Sequence, residues 1–226
     1  MQTLHAQTGS TLRVSGQPGG KTIALAPGVE LPAFTMKFAR NEEVFTEEES
    51  ADFVYKVISG AVRAVRILSD GRRQISAFHL PGDVFGLECG ETHRHSAEAV
   101  VESEIALVRR SAVEAAAQSD GAVARKLWQA TSGDLLRLQD HTLRLGRKTA
   151  VERVASFLFE LSARRPPAAT AAEITLPMGR LDIADYLGLT IETVSRTLTQ
   201  LERDHAISIP SARAVVLHGA LARVVD

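Results

Sequence analysis

The chain has 226 residues, 45% hydrophobic and 23% charged, enough apolar material to bury one large core or two modest ones. With 26 basic and 27 acidic residues its formal net charge is −1, so bulk charge points to no partner, and any nucleic-acid contact must come from locally clustered cations. A single cysteine excludes an internal disulfide and an iron–sulfur cluster held by four thiolates of this chain.

No apolar run approaches the roughly 18 residues of a membrane span. The opening MQTLHAQTGSTLRVSG lacks the basic start and apolar stretch of a signal peptide. The expectation is a cytoplasmic protein with no membrane partner.

Residues 1–30, rich in Gly, Gln, Thr and Pro, have no sustained periodicity and read as a flexible arm. From 31 to 111 the texture changes to short alternating or β-branched runs such as DFVYKVISG and RQISAFHLPGD, the pattern of a small antiparallel barrel or sandwich. Ser69-Asp70-Gly71 is a hairpin signal, because Asp and Gly tolerate the positive φ of tight turns, and Pro81-Gly82-Asp83 marks another turn. Glu47-Glu48-Glu49 reads as a solvated loop, and Arg72-Arg73 as surface, with a contact to a protein partner as the alternative.

Within this predicted barrel, GDVFGLECGETHRHSAEAV offers two candidate chemistries. His93, His95 and Glu98 have the H-x-H-x-x-E spacing with which strand residues could approach one metal, as in a cupin-like enzyme. That reading lacks a third histidine on a later strand, so two solvated loop histidines and no metal are expected. Cys89 lies between Glu88 and Glu91, whose charge would raise its thiol pKa, so a redox switch is the alternative to an inert thiol.

From 112 to 146 the period becomes helical, with a break near Ser119-Asp120-Gly121. Leu127, Thr131, Leu135, Leu138, Thr142 and Leu145 recur at steps of three or four, a seam suited to dimerisation, with Asp134 and His141 near it as poor members.

Residues 147–226 read as helix, short strand, two helices and a hairpin. In LDIADYLGLTIETVSRTLTQLE, the apolar Ile183, Leu187, Leu189, Val194, Leu198 and Leu201 sit where two short helices crossing steeply would share a core, with Gly188 at the bend and Thr190 as N-cap. Glu192, Ser195 and Arg196 stand at i, i+3 and i+4 in the first turns of the second helix. This is where a recognition helix reaches base edges: Arg can grip guanine O6 and N7, and Glu can accept from cytosine N4. Arg147, Lys148 and Arg180, with Thr190 and Thr193, are candidate phosphate contacts that would fix register on double-stranded DNA.

The order of roll, long helix and winged helix-turn-helix, with LGRKTAVERVASFLFEL and the run IETVSR, resembles the CRP/FNR family of transcription regulators, over nearly the whole chain after the arm. The E-x-x-S-R pattern, met by Glu192, Ser195 and Arg196, is similar to that of the FNR and FixK branch. Ile191 and Ser195 depart from the cyclic-AMP receptor branch, which has Arg before the Glu and Gly for the Ser.

The resemblance implies an α+β chain with a cyclic-nucleotide-binding-like β-roll. It implies a homodimeric, non-enzymatic regulator, most simply an activator that contacts RNA polymerase. Its site would be a palindrome of TTGAT-like half-sites, with Glu192 and Arg196 on the G·C pair and Ser195 helping to choose outer bases. The cysteine cluster of FNR is missing. Leu87 stands where the nucleotide-binding members carry a ribose-binding Glu, and His95 where they carry a phosphate-binding Arg, with Arg94 as a possible shifted substitute. FixK-type members imply no effector and no cofactor, and a cyclic-nucleotide-responsive regulator is the alternative.

Overall fold

A computed structural model describes residues 22–88, 90–164 and 173–225. Nine strands come first: β1 (Thr22–Ala26), β2 (Val29–Phe38), β3 (Glu43–Phe45), β4 (Phe53–Ser59), β5 (Val62–Ile67), β6 (Arg73–His79), β7 (Val84–Phe85), β8 (Ser96–Ala99) and β9 (Ser103–Arg109). Helices α1 (Arg110–Ser119), α2 (Gly121–Arg147) and α3 (Ala150–Ala163) follow, and then β10 (Glu173–Thr175). The chain closes with α4 (Arg180–Leu187), α5 (Ile191–Arg203), β11 (Ile207–Ser211), β12 (Ala214–Leu217) and α6 (Ala222–Val225). It divides into two compact units, one of residues up to Val62 with His79–Leu127, the other of Arg63–Phe78 with Trp128 onward.

In the first unit an antiparallel sheet runs in the order β1-β2-β9-β4-β7, and β3 pairs with β8. The central strand β9 explains its continuous apolar run Ile105-Ala106-Leu107-Val108. Alternate residues face opposite sides of a strand, and here both sides are covered. Ile105 and Leu107 join Phe38, Phe45, Tyr55 and Val57 on one side, and Ala106 and Val108 join Leu25, Val29 and Val54, with Val113 and Val123 of the helices, on the other.

One expectation is corrected here. Thr22–Ala26 is a strand paired with Val29–Pro32 of β2, where the sequence reads as loose arm. The apparent loop signal Ala26-Pro27-Gly28 is the hairpin turn between them, with Gly28 at φ +72°. Residues 1–21 lie outside those described.

The second unit holds the β5–β6 hairpin, whose Ser69-Asp70-Gly71 turn is closed by Leu68 N–H to Arg72 O at 2.8 Å, and the C-terminal helices and sheet, ordered β10-β12-β11. The helix break falls at Asp120, as its Ser-Asp-Gly run requires. Thr149 opens α3 with a capping box closed by Glu152. The face of α3 formed by Val154, Ala155, Leu158 and Leu161 is buried.

Candidate nucleic-acid interface

The α4–α5 pair is built by local rules. Helix α4 ends at Gly188, whose φ of +62° is left-handed and closes the helix through its N–H to Ala184 O. A Cβ there would meet only ordinary contacts, 3.6 Å from Leu145 and 3.7 Å from Arg153, so backbone conformation rather than space calls for glycine. Thr190 caps α5, its hydroxyl accepting from Thr193 N–H at 3.2 Å.

Ile183, Leu187, Val194, Leu198 and Leu201 are each 2% exposed or less and form the shared core. Since these residues occupy one side of α5, the residues about half a turn away face outward. Glu192 and Arg196 are exposed on the side away from Val194 and Leu198, and Ser195 is half-buried at the edge of that face, between Arg196 and the core residue Leu198. The Glu192 carboxyl is held below the usual carboxylate range by its own backbone N–H and the Thr190 hydroxyl, with Arg196 adding attraction, so it presents a full negative charge. The Arg196 guanidinium reaches Thr193 Oγ1 at 3.4 Å, which aligns it with the start of the helix.

The phosphate candidates separate. Arg147 is exposed at the end of α2, and Arg180 is half-buried at the start of α4. Lys148 instead turns inward, donating to Ser156 Oγ at 3.0 Å and Val225 O at 2.7 Å, so its ammonium ties α3 to the C-terminal turn.

Along the expected seam, Leu135 and Leu138 are 55% and 46% exposed. Thr131 and Thr142 are exposed, and Leu127 and Leu145 are half-buried within the chain. Asp134 pairs with Arg137.

His141 leaves the seam altogether. It is buried and stacks on Tyr186 of α4 at 4.1 Å between ring centroids. Burial, and then the nearby Arg144, push its pKa down from 6.5 to about 4, against a smaller upward pull from Glu160. Between pH 6.5 and 4 the unfolded chain therefore takes up a proton that the folded chain refuses, and stability falls as pH drops through that window. The His141→Phe variant, which keeps the stack without the titration, is expected to lose less melting temperature between those two pH values than the parent does. Parallel slopes would show that His141 is not the titrating group.

Two residues that the sequence analysis did not single out hold this region together. Arg153 donates to Lys148 O at 2.9 Å, Leu187 O at 3.0 Å and Leu145 O at 2.7 Å, so one guanidinium joins the ends of α2 and α4 to the start of α3. Asp182 caps α4, accepting from Gly179 N–H at 3.3 Å, and also accepts from Arg63 and Arg73. Its spacing three residues after Gly179 is the only sequence signal of the cap; its arginine partners leave none.

In the roll, the histidine expectation is corrected. His93 is 1% exposed, stacked on Phe45 at 3.6 Å between ring centroids, with Nδ1 2.7 Å from Glu88 Oε2. His95 is half-buried, 3.7 Å from Glu88. Both precede β8 rather than lying on it, so strand alternation does not bring them together. Among the described residues no group of three or more His, Cys, Asp or Glu side chains is placed to hold a metal ion.

The same geometry bears on a cyclic nucleotide. Leu87 is half-buried against the apolar layer, and the carboxylate nearest to it in sequence, Glu88, is occupied by His93. A ribose would therefore meet an apolar side chain at Leu87 in place of a carboxylate, and the neighbouring Glu88 is engaged by His93. Cys89 lies outside the described residues. Arg72 is an exposed partner of Asp70, whereas Arg73, also expected at the surface, is turned onto α4 by its bonds to Asp182 and Asp185.

Comparison with known proteins agrees with this architecture. The cyclic nucleotide-binding domain family matches residues 35–120 and the Crp-like helix-turn-helix domain family residues 152–220. The nitrogen fixation regulation protein FixK of Azorhizobium caulinodans is 54% identical over 182 residues, 80% of this chain and 73% of that protein. The Rhizobium meliloti protein of the same name is 40% identical over 81% of this chain and 82% of its own length. The structure of FixK2 from Bradyrhizobium japonicum superposes with a TM-score of 0.81 at 51% identity, covering 86% of this chain and 98% of that one. No described helix is long and apolar enough to cross a membrane. With its roll, long helix and helix-turn-helix, the chain belongs to the CRP/FNR family of transcription regulators and is a DNA-binding regulator similar to FixK.

Proposed function

We propose that this regulator binds DNA as a homodimer in the cytoplasm, reads palindromic sites of TTGAT-like half-sites through α5, and activates transcription by contact with RNA polymerase, without a small-molecule effector. The observation that supports base reading is the placement of Glu192 and Arg196 on the outward side of α5, away from its buried Val194 and Leu198, with half-buried Ser195 at the edge of that face. A capped helix with such a face fits the major groove, where a guanidinium and a carboxylate distinguish a G·C pair.

Arg147, Arg180 and the hydroxyls of Thr190 and Thr193 are the proposed phosphate contacts. Lys148 is withdrawn from that set by its internal bonds. With β1 and the start of β2 included, residues 22–111 serve as the sensor-like domain, 112–146 as the dimerisation helix and 147–226 as the reading domain. The seam at Leu135 and Leu138 supports pairing, because exposed leucines in series on a long helix are the surface that a twin helix covers.

Selection of bound duplexes from a random pool tests the proposal. The expected product is an inverted repeat of TTGAT-like half-sites, their centres about 34–36 Å apart on one face of the duplex. Recovery of a single unpaired motif would refute the homodimeric reading, and recovery of an unrelated palindrome would refute the base assignment.

A further inference from the structure

The β5–β6 hairpin grips the first helix of the helix-turn-helix by its charged side chains. Arg63 Nη1 donates to Asp182 Oδ1 at 3.0 Å, and Arg73 Nη2 to the same oxygen at 2.7 Å. Arg73 Nε also donates to Asp185 Oδ2 at 2.8 Å, and the Gln74 side-chain amide to Asp185 O at 2.8 Å. These four charges are largely out of water: the side chains of Arg63 and Asp182 are 8% and 12% exposed, those of Arg73 and Asp185 23% and 19%. The end of the hairpin is held as well. Arg164 donates to Phe78 O at 3.1 Å, and the Phe78 ring packs on Tyr186 and Phe157 at 5.2 and 6.2 Å between centroids.

Buried ion pairs are poor devices for raising stability, since apolar side chains of similar volume do as well or better. What they supply is geometry, because two guanidinium groups and two carboxylates interlock in few ways. The gripped helix α4 shares its core with α5, so an orientation imposed on one is passed to the other through Ile183, Leu187, Val194 and Leu198.

We propose that Arg63 and Arg73 are positioning residues for DNA binding: by holding Asp182 and Asp185 they fix α4, and with it α5, in the orientation that presents the outer face of α5. The ordering cost is then met before DNA arrives, and loosening the grip shifts that cost onto binding. The inference rests on the chain's being a DNA-binding regulator, and not on which side chains read bases.

The test is a double-mutant cycle in the full-length protein on its selected site, with affinities expressed per active dimer from stoichiometric titration. Arg73→Ala and Asp185→Ala are each expected to weaken binding roughly 3- to 30-fold. The double variant should lose no more than the worse single one, because both remove one interaction. Asp185 is preferred to Asp182 because Asp182 also caps α4.

A charge exchange, Arg73→Asp with Asp185→Arg, should regain part of the loss. Base preference should stay that of the parent, and amide exchange in α4 should quicken in each single variant. Losses that simply add, unchanged affinity, or tighter binding on breaking the pair would each overturn the proposal. If the base-reading assignment alone is wrong, Arg196→Ala leaves base preference intact while the Arg73–Asp185 coupling persists, so the two failures are distinguishable.

Discussion

Arg196→Ala is expected to weaken binding to the preferred site by about 1–3 kcal/mol and to flatten the preference at the G·C position. The guanidinium is exposed on the second turn of α5, on the side facing away from the helix's own core, and bonds Thr193 rather than a carboxylate. It is therefore available to form two bonds with a base edge. Arg196→Lys keeps the charge but not the planar fork, so it should recover the phosphate-driven affinity and little of the discrimination. Fluorescence anisotropy against a panel of sites altered at that base pair measures both. Identical preference profiles for parent and Ala variant would remove Arg196 from the reading set.

A larger loss is expected from Leu135→Arg. In the single chain this leucine is 55% exposed, so an arginine there disturbs no intramolecular packing and suits a helix as well as leucine does. In a two-fold seam the same change places a guanidinium on each helix where apolar surface is to be buried. The variant should sediment as a monomer. Its affinity for the full palindrome should fall by roughly 100-fold or more, because the second half-site no longer binds as an intramolecular event. Affinity for an isolated half-site should be nearly unchanged. A variant that stays dimeric in sedimentation equilibrium would show that the pairing surface lies elsewhere.

The reading element was legible because its determinants are local. A threonine cap, a glycine with positive φ after α4 and a 3.6-residue period are satisfied by neighbours within a turn or two, and the helix bounds and outer face of α5 follow from them. The β-roll was legible for the same reason wherever strands joined by tight turns announced themselves. It was missed at Thr22–Ala26, where a segment rich in Gly and Pro read as an arm although Pro27-Gly28 is the turn of a hairpin.

The destinations of charged and aromatic-polar side chains were another matter. Arg73 looked solvated, Lys148 looked ready for a phosphate, His93 looked like a solvated histidine and His141 looked like a blemish in a seam. Each is committed to a partner chosen by tertiary structure. Arg63 and Asp182 lie 119 positions apart, and no periodicity links them. Sequence alone determined the helices, the strands other than Thr22–Ala26 and the outward face of α5, since steric preference and hydrophobic period act over a few residues. Only the folded chain decided which ions are buried together, because burying a charge is tolerable only beside its counter-charge, and that neighbour is supplied by whatever the fold brings near.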